Sequence, residues 1–272
     1  MKKYSVLFSL YAKENPEYLL LSVNSMINQS VPPDEIIIVK DGPLPEELLS
    51  VLDSFCARYP SLFTIVDNKI NLGLGLSLNN GLKASRNELI ARMDTDDISK
   101  KDRCEKQLNE FEKNPELTIV GAWAEEFDGE TSNVLSIKRV PENSDDIYEY
   151  GKRRSPFTHP LVMFKKSAVL SVGGYANLRR NQDVDLFGRM LFAGFKAYNI
   201  QEPLLWFRTD KALSKRRKSW ENTKTYISTI KSFWKMGYSS FWDYFKVALA
   251  QTIIFLLPTR VQMWIYKRFL RK

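Results

Sequence analysis

Glu88-Leu89-Ile90-Ala91-Arg92-Met93-Asp94-Thr95-Asp96-Asp97 is an apolar run that stops in three carboxylates within four positions. Runs of the same kind occur upstream at 4–10, at Glu35-Ile36-Ile37-Ile38-Val39 and at Phe63-Thr64-Ile65-Val66, and helical patterning fills about 16–28, 45–58 and 74–84 between them. Near-continuous apolar strands separated by amphipathic helices predict an α/β chain built on a parallel sheet covered on both faces. Ligands of such sheets sit at the carboxyl ends of the strands. Three polar clusters fall there, Ser9-Leu10-Tyr11, Lys40-Asp41-Gly42 and Asp94 to Asp97, and they are expected to converge on one crevice.

Downstream, a charged helix over Lys101 to Lys113 leads through Asn114-Pro115 into a strand, Leu117 to Ala122. Residues 125–160 mix turns and short extended pieces, with breaks at Pro141, Pro156 and Pro160. Helical patterning returns at about 166–172 and 183–194, and 219–272 is mostly helical with an interruption at Pro258.

With 272 residues and 44% hydrophobic content the chain can bury a substantial core. Cys56 and Cys104 fit neither a disulfide framework nor a zinc pattern, so reduced thiols and a cytosol-facing protein are expected. Met1-Lys2-Lys3 runs straight into the first strand and does not read as a signal peptide. The net charge of +8 is uneven: residues 208–272 carry 15 Lys/Arg against 3 Asp/Glu, and the rest carry 25 against 29. A basic, aromatic-rich tail suits an anionic membrane surface, whereas no nucleic-acid-reading motif accompanies the charge. Val247 to Leu257 is well short of the ~20 apolar residues that span a bilayer. An interfacial helix is the reading, with Trp234, Trp242, Trp264, Tyr266, Phe269, Lys267-Arg268 and Arg271-Lys272 as headgroup anchors. Its alternative is a docked helical hairpin whose apolar face is core.

Crowding Asp94, Asp96 and Asp97 after an apolar strand is unfavourable unless a cation or a helix N-terminus compensates it. Hard oxygen ligands suit Mg2+ or Mn2+. The bland reading is a helix cap, with Asp97-Ile98-Ser99 opening the next helix, and Asp97 is the member most readily given to it. Asp41, before Gly42-Pro43, can accept from a base N–H or form an Asx turn. Asn71-Leu72-Gly73-Leu74-Gly75-Leu76-Ser77-Leu78-Asn79-Asn80-Gly81 can present N–H groups and amides to a ligand, yet fits neither a dinucleotide nor a Walker fingerprint. Asp183, in Asn181-Gln182-Asp183-Val184-Asp185, can be a general base or a cap, with Asp185 pairing Arg189. His159, the one histidine, rules out a multi-histidine metal site and reads first as structural.

Together these residues resemble glycosyltransferase family 2, inverting enzymes of the GT-A fold. The resemblance runs over roughly 4–210 and is carried in order by Ser5 to Tyr11 with Asn15-Pro16 and Gln29-Ser30, Pro33 to Gly42, Asn71 to Gly81, Arg92 to Asp97, His159 to Phe164, Gly173-Gly174-Tyr175 and Gln182 to Phe187. It implies a GT-A catalytic domain over 1–210, a Rossmann-like nucleotide-sugar half at 1–100 and an acceptor half at 101–210 on a mixed central sheet, with a basic, helical, membrane-surface tail at 211–272. It implies that Asp41 holds uracil beside Ser9, Tyr11 and Asn71, that Arg92 and Asp94 lie near ribose and diphosphate, that Asp96 with Asp94 holds Mn2+ or Mg2+, and that Asp183 is the base. Asp183 then deprotonates an acceptor hydroxyl that attacks the anomeric carbon in one inverting displacement, while the metal meets the charge growing on the diphosphate.

The chain departs from the family pattern in having Lys40-Asp41-Gly42 for Asp-Asp-Gly and Gln182-Asp183 for Glu-Asp, which leaves Asp183 as the lone carboxylate of that pair. The expected donor is a UDP-sugar, glucose or galactose. The expected acceptor is a lipid-diphosphate-linked GlcNAc or GalNAc of O-antigen or capsule assembly, met at the inner face of the cell membrane. A haloacid-dehalogenase-type phosphatase would carry its motif on the first strand, and a nucleotidyltransferase would need a basic glycine-rich loop that is missing. A catalytically dead membrane-surface scaffold is opposed by Asp41, Asp96 and Asp183.

Overall fold

The computed structural model describes residues 3–209 and 219–257. Strands β1 (Tyr4–Leu10), β2 (Glu35–Asp41), β3 (Phe63–Asn68) and β4 (Leu89–Arg92) form a parallel sheet in the order β3-β2-β1-β4. They alternate with helices α1 (Pro16–Ile27), α2 (Glu46–Arg58) and α3 (Leu74–Ala84). α1 starts where it does because Pro16 is set for the first turn and the Asn15 side chain accepts from the backbone of Glu17 and Tyr18.

Side chains of β1 and β2 alternate between two apolar layers. Val6, Phe8, Ile36 and Ile38 pack with Leu19 and Val23 of α1 and Leu48 and Leu52 of α2, while Leu7, Ile37 and Val39 pack with Leu78 and Leu82 of α3. α3 sits so close to the sheet that a Cβ on Gly81 would lie 2.3 Å from Leu7 Cδ1.

The second half makes the sheet mixed, as the expected fold requires. After β5 (Ile98–Ser99), α4 (Arg103–Lys113), β6 (Leu117–Phe127), β7 (Val134–Lys138) and α5 (Ser144–Gly151), a 3-10 turn at His159–Leu161 leads into β8 (Met163–Lys165). Then follow α6 (Lys166–Ser171), α7 (Gln182–Phe192) and β9 (Lys196–Arg208). β8 runs antiparallel between β4 and β6, β9 runs parallel to β6, and β5 pairs antiparallel with β9. Three elements exceed the sequence reading: β6 runs on to Phe127, α5 is a helix in a stretch that reads as turns and short extended pieces, and β9 is not expected from the sequence at all. Gln201-Glu202-Pro203 interrupts the apolar pattern of β9, and the pairing with β6 shifts register there.

Helices α8 (Trp220–Lys235) and α9 (Phe241–Leu256) follow. α8 is joined to the core: Ile230 and Phe233 are fully buried, and a Cβ on Gly188 of α7 would lie 2.1 Å from Phe233 Cζ. α9 packs on α8 but has no buried residue. Among the described residues no helix is long and apolar enough to cross a membrane. The expected interruption at Pro258 and the anchors Trp264, Tyr266, Phe269, Lys267-Arg268 and Arg271-Lys272 lie outside the described residues.

Candidate active site

The ends of β1, β2 and β4 open into one cleft of about 490 Å³, lined by Ser9 and Tyr11, by Asp41 and Asn71, and by Asp94 and Asp96. The three clusters expected to converge therefore do. The β2 end is built around Asp41, which is almost fully buried and accepts from Leu72 N–H at 2.7 Å and Gly73 N–H at 3.1 Å. Asn71 Nδ2 returns a bond to the Asp41 carbonyl at 3.1 Å. This is a clamp between distant segments rather than an Asx turn, and it stands the 71–73 loop at the cleft wall. Gly42 allows it: its φ is +90°, and a Cβ there would meet Asn71 N at 2.8 Å. Asn79 and Asn80 are not turned to a ligand as the sequence suggested. Asn79 exchanges two 2.8 Å bonds with the backbone of Tyr175, and Asn80 donates to Asn68 Oδ1.

At the β4 end the carboxylates of Asp94, Asp96 and Asp97 bring one ligand oxygen each within 4.8 Å of one another. Part of the compensation comes from below. Arg92, expected near ribose and diphosphate, is fully buried and does not itself line the cleft: its Nη1 pairs with Asp94 Oδ1 at 2.5 Å. Burial opposes the Arg92 charge, but Asp94, Tyr175 and Asp97 together outweigh it and the net shift of the guanidinium is upward.

One arginine does not neutralise the cluster. Burial first, then Asp94 and Glu14, push the Asp96 carboxyl up to about 7, and burial with Asp96 and Asp94 drives Asp97 well above the usual carboxylate range. Asp97 is not a helix cap, because Ile98–Ser99 is a strand and α4 starts only at Arg103. Its Oδ1 accepts from Arg208 N–H at 2.8 Å, and its buried Oδ2 has no partner among the described residues. An oxygen-rich cluster too crowded to be fully ionised on its own, with an unpaired buried oxygen, fits a divalent cation, with Asp94 and Asp96 as the groups facing the cleft.

Glu14, Tyr18 and Arg208 were not found in the sequence. Glu14 lines the cleft and accepts from the Thr95 hydroxyl. Arg208, the last residue of β9, donates from Nε to the Asp96 carbonyl at 2.8 Å and from Nη1 to the Gly129 carbonyl at 3.1 Å. Its guanidinium lies between the rings of Tyr18 at 3.9 Å and Phe127 at 4.6 Å. It thus ties the acidic loop to α1 and to the end of β6. The usable signal was the strand-end rule, which needed β9 to be seen first.

Asp183 lies in the first turn of α7, partly buried and outside the lining of the cleft. α7 begins beside the cleft-side end of α3, where a Cβ on Gly75 would be 3.4 Å from Gln182 Cβ. Burial raises the Asp183 carboxyl, while the backbone N–H groups of Val184 and Asp183 and the charge of Lys138 partly offset it. Asp185 pairs with Arg189 at 2.7 Å, one turn on, as expected. His159 is buried, with Nε2 2.9 Å from the Tyr175 hydroxyl, and burial holds its ring well below the ordinary histidine range, so it is neutral. It supports Tyr175, which lies within electrostatic reach of Arg92 and Asp183.

Residues 5–180 match the family described as Glycosyl transferase family 2. A UDP-Gal:alpha-D-GlcNAc-diphosphoundecaprenol beta-1,3-galactosyltransferase of Escherichia coli is 37% identical over 273 residues, which covers 99% of this chain and 97% of that protein. The amylovoran biosynthesis glycosyltransferase AmsE of Erwinia amylovora is 33% identical over 97% of this chain and 98% of its own length. Among solved structures, the mannosyltransferase PcManGT of Pyrobaculum calidifontis, in complex with GDP-Man and Mn2+, matches at a TM-score of 0.65 and 15% identity, over 96% of this chain and 72% of its own. S. aureus TarS in complex with UDP matches at 0.65 and 13%, over 97% and 78%. At such identities the last two speak for the GT-A fold alone.

Proposed function

The chain belongs to glycosyl transferase family 2, and from that premise we propose that it is a metal-dependent, inverting hexosyltransferase of bacterial surface-polysaccharide assembly, O-antigen or capsule. Its donor is a UDP-sugar, galactose or glucose, and its acceptor a lipid-diphosphate-linked GlcNAc or GalNAc. The reaction takes place at the inner, cytoplasmic face of the cell membrane, to which the enzyme attaches peripherally. Galactose and the diphosphate-lipid acceptor gain support from the name of the E. coli relative, which matches over nearly its whole length. The catalytic domain is residues 1–210, halves 1–100 and 101–210, and 211–272 is the tail, which docks through α8 and faces the membrane through α9.

The observation that carries this reading is the cleft itself, in which one wall offers Asp41 and Asn71 and the other a carboxylate cluster too crowded to be fully charged on its own. Ser9, Tyr11, Asp41 and Asn71 hold the nucleotide. Asp94 and Asp96 hold Mn2+ or Mg2+, which when bound supplies positive charge against the diphosphate. Arg92 acts from beneath, fixing Asp94. Asp183 takes the proton from the acceptor hydroxyl as that oxygen attacks the anomeric carbon, whose bond to the diphosphate oxygen breaks and releases UDP. Its raised affinity for a proton and its place in the first turn of α7 suit a base that must be ionised yet unpaired.

The test is a screen of UDP- and GDP-sugars against lipid-diphosphate-linked GlcNAc and GalNAc with Mn2+, read by mass spectrometry. The expected product is one added hexose from UDP-galactose or UDP-glucose, β-linked. Transfer only from a GDP-sugar, or only donor hydrolysis with every acceptor, would overturn the donor or the acceptor assignment respectively.

A further inference from the structure

α9 inverts the usual order of a surface helix. Phe241, Trp242, Phe245, Leu249, Ile253 and Leu256 are exposed, Trp242 by 64% and Leu256 by 74%. At about 100° per residue these six fall within roughly 120° of arc, a single stripe running the length of the helix. The opposite side is already occupied: Tyr244 stacks on Trp234 at 5.5 Å, and Phe255 meets Trp220 at 5.1 Å. Of the stripe, Phe241 also meets α8, edge-on to Trp234 at 5.4 Å; beyond it the stripe turns away from the side by which α9 docks on the protein. An apolar stripe of this length, broken within its arc by the half-buried Thr252, marks a surface for interaction.

The charge around it is cationic. Lys224, Lys231 and Lys235 of α8 and Lys246 of α9 are exposed, whereas the acid of α8, Glu221, pairs with Arg179 at 3.5 Å, and the acid of α9, Asp243, is held by Arg153 at 3.4 Å and caps its own helix through Ser240. The sequence that follows, residues 258–272, contains Arg260, Lys267, Arg268, Arg271 and Lys272 and no acidic residue. A stripe ending in tryptophan and phenylalanine, fringed by lysine and too short to span, matches a helix lying in the headgroup layer of an anionic bilayer. A second copy of this chain would bring the same lysines face to face. We infer that the Phe241-Trp242-Phe245-Leu249-Ile253-Leu256 stripe of α9 is the surface by which this protein docks on anionic lipid. This rests on the membrane-side reading above and identifies the residues that make contact.

The measurement is co-sedimentation of the full chain with vesicles of phosphatidylethanolamine and phosphatidylglycerol, or of phosphatidylcholine alone, beside transfer to an acceptor made soluble by a short alkyl chain. The wild type is expected to bind the anionic vesicles and not the neutral ones. The double variant Trp242→Glu/Leu249→Glu, altered only at exposed positions, is expected to lose about tenfold or more of the bound fraction with unchanged soluble transfer and thermal midpoint. Should the variant be unstable, the milder Trp242→Phe serves: in the wild type dibrominated lipid quenches tryptophan emission, and this substitution removes the larger part of that quenching.

Undiminished vesicle binding by the double variant would overturn the assignment, as would a lipid-free wild-type dimer that the variant splits, or Trp242 emission already shielded from acrylamide without vesicles. Absence of vesicle binding with intact soluble transfer would remove the docking surface and leave the enzyme. Vesicle binding without transfer of any sugar would do the reverse.

Discussion

The carboxylates at the end of β4 and the one at the start of α7 are both pushed up, but not by the same means. Asp96 is raised by burial and then by Asp94 and Glu14, and Asp97 by burial and then by Asp96 and Asp94, whereas Asp183 is raised by burial and has no acidic neighbour among its causes. The crowded group gains most from a cation, because a cation removes repulsion as well as restoring solvation. The solitary one exchanges only a proton. On the proposed reading this difference divides a site for metal and diphosphate from a site for proton removal, although the side chains involved are chemically identical.

Removing one member of the crowded group is the hardest blow to that division. Asp96→Ala is expected to abolish transfer and metal-dependent donor binding together, read by product formation and by UDP-sugar binding with and without Mn2+. Near-normal turnover would put the metal elsewhere. Asp183→Asn is expected to keep UDP-sugar binding and lose turnover by ~10²–10⁴, the scale of general-base loss; a variant that instead binds donor poorly would make Asp183 a structural residue of α7. Arg208→Lys keeps a positive charge but cannot both stack between Tyr18 and Phe127 and hold the Asp96 carbonyl. A roughly tenfold weaker Mn2+ dependence, with turnover at saturating metal little changed, is expected from the loss of one or two such contacts, worth about 1–2 kcal/mol. An equal fall in turnover at all metal concentrations would say that Arg208 acts on the reaction and not on the loop.

The smallest effect is on pH. Because the folded Asp96 and Asp97 hold protons more tightly than an unfolded aspartate of pKa about 3.9, the metal-free protein loses stability as pH rises from about 4 through 7. The thermal midpoint in EDTA should therefore fall between pH 5 and pH 8, and the rise caused by Mn2+ should be larger at pH 8. A midpoint in EDTA that climbs over that range would mean that the cluster is already compensated.

The parallel half was legible because each of its strands is a contiguous apolar run and each ends in a polar cluster. β9 was not, since Gln201-Glu202-Pro203 interrupts it and only its pairing with β6 makes those residues a strand. Losing β9 hid Arg208, and with it the reason that Asp97 is buried instead of capping a helix. Arg92 was visible in sequence, but not that it is fully buried and paired with Asp94, because spacing alone does not show which partner a charge inside an apolar strand meets. Asp41 carries a second duty that spacing could not show, holding Leu72 and Gly73 across a gap of some thirty residues.

The most direct test of the central claim is hexose transfer from UDP-galactose and UDP-glucose measured first in excess EDTA and again after Mn2+ is restored. The account predicts that transfer disappears in EDTA and returns with Mn2+ in the wild type but not in Asp96→Ala. Full activity in excess EDTA would contradict it.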